Sequence, residues 1–186
     1  MTQNAIEPAI KHLVSVLTRD REEAGLSPGD LAELRRMDPT GSVFPPALWR
    51  LLTATNVAAG VAALGGRREQ AERAFACLIL AMIEVGGPAG GQSIGRALAG
   101  TDYAEQRFIL LLRARGMREV AAEARSAVRW CTTKGARVRF DAWGFAGFVL
   151  DAALERPSAD SKAHAMARDY FTGPKIETDA ETSDAE

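Results

Sequence analysis

The sequence is poor in the side chains that build most active sites. Its 186 residues include two histidines and two cysteines. His12 and His164 stand far apart, and no metal-ligand spacing joins them to Cys77 or Cys131, so no zinc site is spelled out. Both cysteines lie among aliphatic neighbours at helical spacing and are expected as buried, reduced thiols, in keeping with a cytoplasmic chain. No apolar run reaches the ~18 to 20 residues that would span a membrane. The longest, "AFACLILAMIEV", is short and flanked by charge. The start, "MTQNAIEPAIKH", lacks the basic residues and apolar block of a secretory signal. Strand-like alternation is missing throughout. The glycine-rich stretch "GGPAGGQSIG" has neither the lysine and hydroxyl nor the preceding strand of a phosphate-cradling loop. Glu22-Glu23 lies near a helix end, where exposure is expected, and Asp151-Glu155 is a simple i,i+4 pair, which leaves no acid–base pair to argue for. No enzyme, metal or cofactor is expected.

What remains is helical periodicity and an uneven distribution of charge. Ile6, Ile10, Leu13, Val14 and Leu17 mark one face of a first helix, with Gly25 as its stop. Asp30 is the expected N-cap of "LAELRRM", and Pro46 opens "ALWRLLTATNVAAGVAAL", ended by Gly65-Gly66. A further helix is expected over about residues 67–85. Six of residues 86–100 are glycine, which marks either a loop or a boundary between two small helical lobes near 86–101. Asp102 and Glu105 have capping-box spacing ahead of the next helix. Gly116 interrupts it, and another helix follows over 117–134. Asp141 is placed to cap "AWGFAGFVLDAAL", apolar nearly all round and therefore expected at the centre. A last helix is expected over about 160–171. The fold class is all-α: a helical bundle, either one body over 1–171 or two lobes. Residues 172–186 form an acidic tail with little to bury.

The formal net charge is -1, yet residues 86–139 hold ten Lys/Arg against four Asp/Glu. On a helical wheel with Arg118 at zero, Arg125 falls at about -20° and Arg129 at about +20°. Glu119 and Glu123 lie near 100° to 140°, on another flank. The three arginines thus form one row about 17 Å long, without an i,i+4 glutamate along its own line. Arg113, Arg115, Lys134, Arg137 and Arg139 add charge on either side. Such a row suits a phosphodiester backbone, where each neutralised phosphate releases counterions and gives affinity without reading sequence. A solvated arginine-rich face is the competing reading. Trp49, Trp130 and Trp143 are expected in packing. Trp130 stands out because its wheel position, about 120°, lies outside the apolar arc.

The ordered segments "LAELRRMDP", "FPPALWRLL", "IGRALAG", "AEQRFILLLRA" and "ARDYF" resemble the CasB family, the small subunit of the type I-E CRISPR surveillance complex Cascade. They span about residues 30–171. One departure is Met166, where a tryptophan is expected before "ARDYF". The resemblance implies an all-helical, non-catalytic subunit, present as a pair within a crRNA-guided complex of antiviral defence. It implies contacts to the backbone and large subunits, to crRNA, and to the target and displaced DNA strands of the R-loop. Arg35, Arg36, Arg96 and Arg107 sit in the matching motifs and become nucleic-acid-binding candidates. Arg118, Arg125, Arg129, Arg137 and Arg139 join them from the charge pattern alone. Each has a plainer alternative: Arg107 as a bridge to a neighbouring carboxylate, Arg36 as a cation at a helix end. Glu105, Phe108 and Tyr170 are expected as cap or core. A helical protein–protein module without nucleic-acid contact is the alternative function.

Overall fold

The computed structural model describes residues 3–18, 26–55, 57, 61, 68–85, 91–133 and 138–173. These contain nine helices: α1 Gln3–Thr18, α2 Pro28–Arg36, α3 Pro46–Ala54, α4 Arg68–Met82, α5 Ile94–Ala99, α6 Glu105–Arg113, α7 Gly116–Thr133, α8 Ala142–Ala153 and α9 Ser158–Thr172. No strand occurs among the described residues, and the fold is all-α. The one extended pairing is an isolated bridge between Gln92 and Phe140. The helix opened by Pro46 ends at Ala54 with Thr55 as its C-cap, short of the expected stop; Gly25, Gly65-Gly66, the glycines of 86–90 and the tail from 174 lie outside the described residues.

Two helices make the centre. In α8, nine of twelve residues are buried, as a helix apolar on all sides must be. It packs on α1, α4, α7 and α9. In α4, ten of fifteen residues are buried, and its principal partner is α7. Buried side chains of all nine helices join one apolar cluster, with Phe75, Phe108, Phe145 and Phe148 its largest members.

Two caps differ from their sequence expectation. Ser27, not Asp30, is the N-cap of α2. Asp30 occupies the third helical position and closes a capping box: it accepts from the Ser27 amide at 2.9 Å, while Ser27 Oγ accepts from the Asp30 amide at 3.1 Å. Arg50 of α3 pairs with the other carboxylate oxygen and ties α3 to α2. Hydrogen bonds from the Ser27 hydroxyl and amide, then from Arg50, hold the Asp30 carboxyl down at about 2. At α6 no box forms. The helix starts at Glu105 behind Ala104, without a side-chain cap, and Asp102 has a φ of 55°. Asp141, by contrast, caps α8 as expected, accepting from Trp143 and Gly144 amides.

The α5–α9 crossing accounts for a glycine in the sequence. A Cβ on Gly95 would stand 2.2 Å from the Met166 carbonyl oxygen, so only glycine lets the two helices approach this closely. Met166 itself is buried, 7% exposed, and fills its place without the larger ring. Beside the crossing, Phe108 of α6 stacks on Tyr170 of α9 with centroids 4.0 Å apart. The Tyr170 hydroxyl donates to the Tyr103 carbonyl at 2.5 Å. Phe108 and Tyr170 are therefore core. Gly91 has a φ of 111° and lies against the Arg139 carbonyl, where the Gln92–Phe140 bridge joins the two connectors.

Candidate nucleic-acid interface

Helix α7 builds the site because its two faces differ completely. Val120, Ala121, Ala124, Ala127, Val128 and Cys131 are buried, and the small alanines let α7 lie closely on α4 and α8. The thiols of Cys77 and Cys131 are free and buried; loss of solvent pushes both up to about 12. The outer face carries Arg118, Arg125 and Arg129. Arg118 and Arg129 are exposed, with no ion pair among the described residues.

Arg125 is not free, which corrects the wheel. Its side chain is only 26% exposed. Nη2 donates to Glu84 Oε1 at 2.8 Å, and Nη1 donates to the Arg35 carbonyl at 2.9 Å. Its Nε is buried without a hydrogen-bond partner among the described residues. The wheel registered only glutamates on the same helix; Glu84 comes from the turn after α4. Arg125 is thus a bracket that fastens α7 to the ends of α2 and α4.

That bracket brings two independent sets of candidates to one place. Arg35, at the end of α2, reaches the second oxygen of Glu84 from Nε at 3.5 Å and is 40% exposed. Arg36 follows it and is exposed, with no ion pair among the described residues. Burial alone would raise the Glu84 carboxyl. The hydrogen bond from Arg125 and the charges of Arg125, Arg35 and Arg129 together outweigh that and hold it below the ordinary glutamate range. At the other end of the row, Asp38 accepts from the Thr40 amide and hydroxyl at 2.8 and 2.7 Å. Those bonds, with smaller contributions from Arg118 and Arg73, lower its carboxyl. Arg118 therefore feels a carboxylate without pairing to it. Along the C-terminal part of α7, a shallow groove is lined by Ala122, Arg125, Ser126, Arg129, Trp130 and Thr133. Trp130 is half-buried: Nε1 donates to the Thr101 carbonyl at 3.0 Å, and the ring meets Tyr103 edge-on at 5.5 Å.

The remaining candidates stay apart from this cluster. Arg96 on α5, Arg107 on α6 and Arg139 before α8 are exposed, and among the described residues none forms an ion pair or a side-chain hydrogen bond to the cluster. Arg107 bridges no carboxylate there. Arg137 and Lys134 lie outside the described residues. Arg115 is drawn off to Asp160 and to the carbonyls of Leu112 and Ala114. Two tryptophans expected in packing are surface residues: Trp49 is 43% exposed and Trp143 41%. The residue of this cluster that sequence reasoning missed is Glu84. Its position two residues past a buried helix carries no local signal.

Among the described residues no group of His, Cys, Asp and Glu could hold a metal ion, and no described helix is long and apolar enough to cross a membrane. The family model for CRISPR-associated protein Cse2 matches residues 30–171, from the capping carboxylate of α2 to the end of α9. The chain belongs to that family, which is the CasB small-subunit family of type I-E CRISPR systems. Comparison with curated proteins and with solved structures gave no match.

Proposed function

We propose that this member of the Cse2 family is a non-catalytic subunit of a crRNA-guided Cascade complex that holds DNA by its sugar–phosphate backbone and so stabilises the R-loop. The observation that carries the proposal is the meeting of Arg35, at the end of α2 beside Arg36, with the α7 row. Motif and charge pattern pointed to these arginines separately, and one carbonyl–guanidinium bond of 2.9 Å joins the two groups. Arg118 and Arg129 supply exposed guanidinium groups that no carboxylate among the described residues neutralises by direct pairing.

The energetics suit such a role. Exchange of a DNA duplex for an RNA–DNA hybrid is nearly balanced, so a few phosphate contacts on the target or displaced strand shift the equilibrium. Specificity then rests with the guide, and this subunit reads charge alone. The partners in this reading are the backbone and large subunits, crRNA, both DNA strands and a second copy of the chain, in the cytoplasm. Residues 1–171 act as one helical unit, with the acidic tail beyond it. Arg96, Arg107, Arg137 and Arg139 are proposed as further contacts on motif and charge pattern alone.

A second reading, contact with protein surfaces alone, draws on the exposed apolar side chains Val43, Trp49 and Leu110, 83%, 43% and 56% exposed. Salt dependence separates the two. Changing Arg118 and Arg129 together to alanine is expected to weaken DNA binding roughly tenfold and to flatten log K against log salt by about 1.4, at about 0.7 per phosphate of a single strand. Unchanged affinity and slope, with normal assembly of the complex, would establish the protein-contact reading instead.

A further inference from the structure

The Glu84 carboxylate poses a question that the proposed function leaves open. A surface that grips phosphates gains nothing from a resident anion, yet one sits among its arginines. It lies 2.8 Å from Arg125 Nη2 and 3.5 Å from Arg35 Nε, and its side chain keeps 18% of its exposure. Arg129 adds to the positive field on it. Among the described residues no other carboxylate pairs with Arg35 or Arg125.

Two arginines hold Glu84, in different ways, and a third lies only in its field. Arg125 is the firm partner. It makes the shorter bond, is mostly buried, and is anchored by its second bond to the Arg35 carbonyl. Arg35 is engaged more loosely, at a longer distance and with 40% of its side chain exposed. Arg129 is exposed and makes no ion pair among the described residues. Glu84 neutralises Arg125 within the bracket: a neutral amide in its place would still accept from Arg125 Nη2, but would leave that mostly buried guanidinium without a counter-charge, at a cost in stability. The negative charge also has a consequence outside the bracket. Any phosphate approaching Arg35 must compete with a carboxylate that Arg125 holds in place.

Building on the reading above, the geometry points to Glu84 as an affinity-setting residue: a built-in anion that competes with DNA phosphates for Arg35. Such competition weakens the grip and keeps it reversible. In a nearly balanced R-loop, a strand held too tightly would stabilise mismatched hybrids as readily as matched ones. The expected phenotype is therefore a gain of binding when the charge is removed.

The test uses the full chain and a labelled single-stranded oligothymidine, titrated across a range of salt. Glu84→Gln should bind about fivefold tighter at low salt, and its salt dependence should steepen by about 0.7, one extra phosphate contact. Should Glu84→Gln fold poorly, the double variant Glu84→Gln with Arg125→Met leaves the net charge as it is and places an apolar chain in the bracket. It frees Arg35 and should also bind tighter than the parent. A double variant that binds more weakly would make Arg125 the gripping residue and overturn the assignment. Wild-type affinity and slope in both variants overturn it too, provided Arg118→Ala/Arg129→Ala weakens binding. If that arginine variant binds normally, the proposed function fails first and the role of Glu84 fails with it.

Discussion

Arg125 of α7 and Glu84 beyond α4 form an ion pair of 2.8 Å in which both side chains are more than two-thirds buried. The row to which Arg125 belongs thus divides by role: one arginine fastens helices, and two face outward. That division is measurable. Arg125→Ala leaves Glu84 and the Arg35 carbonyl without their donor and is expected to cost about 2 kcal/mol. Arg129→Ala, on the open surface, is expected to stay within about 0.5 kcal/mol of the parent. Urea unfolding of the two variants side by side tests this, and equal losses would contradict it.

The Gly95–Met166 contact yields a second expectation. Gly95→Ala would improve helix propensity in α5, but its methyl group would meet a backbone carbonyl that cannot rotate away. Overpacking of this kind costs about 2 kcal/mol, or roughly a 6 °C lower Tm for a chain of this size. A Tm at or above the parent would mean that α5 and α9 are free to separate.

Tyr170 provides the third. Its hydroxyl hydrogen-bonds the buried Tyr103 carbonyl, while its ring stacks on Phe108. Tyr170→Phe keeps the ring and loses only the bond, at a cost of about 1 kcal/mol. Phe108→Ala removes the ring on which it stacks and costs about 4 kcal/mol. The ratio of the two losses, read by chemical denaturation, reports whether packing or the hydrogen bond closes this corner.

Acid should act on the α2–α3 junction. The Asp30 carboxyl is held down at about 2, by the Ser27 hydroxyl first, then by the Ser27 amide and Arg50. A depressed carboxyl stabilises the fold above its ordinary value near 4 and loses that contribution as pH falls toward 2. Asp30→Asn lacks the titrating group. The stability difference between parent and variant should accordingly narrow from pH 5 to pH 2.5, in thermal melts at matched salt. A constant difference would show that the carboxyl is not perturbed.

The two thiols give a simple probe of the core. Both are buried and pushed up to about 12, so little thiolate is present at neutral pH. Neither Cys77 nor Cys131 should react with a thiol reagent in the native protein, and both should react in denaturant. Rapid native labelling of Cys131 would mean that α7 lifts from the core.

Much of this architecture is legible in the amino-acid order because it rests on local periodicity. The all-round apolar run at 142–153 has no stable place but the centre, and the small and apolar residues of 117–131 oblige one face of α7 inward, and so the arginines outward. Pro46 and Asp141 mark helix starts because their backbone effects act within a single turn. Local pattern also misleads where a competing neighbour wins. Ser27 takes the cap from Asp30, and the Asp102–Glu105 spacing forms no box, because Glu105 is the first residue of α6 and Ala104, not Asp102, holds the cap position.

The sequence by itself determined that the chain is helical, which face of α7 carries positive charge, and where the family's motifs fall. Only the tertiary structure decided which of those charges are free. Arg125 meets a carboxylate 41 positions away and a carbonyl 90 positions away, and Trp130 meets a carbonyl 29 positions away. A helical wheel relates residues within a few turns of one helix. Neutralisation of a charge depends on whatever side chain the fold brings within a few ångströms, and that distance is set by the packing of separate helices.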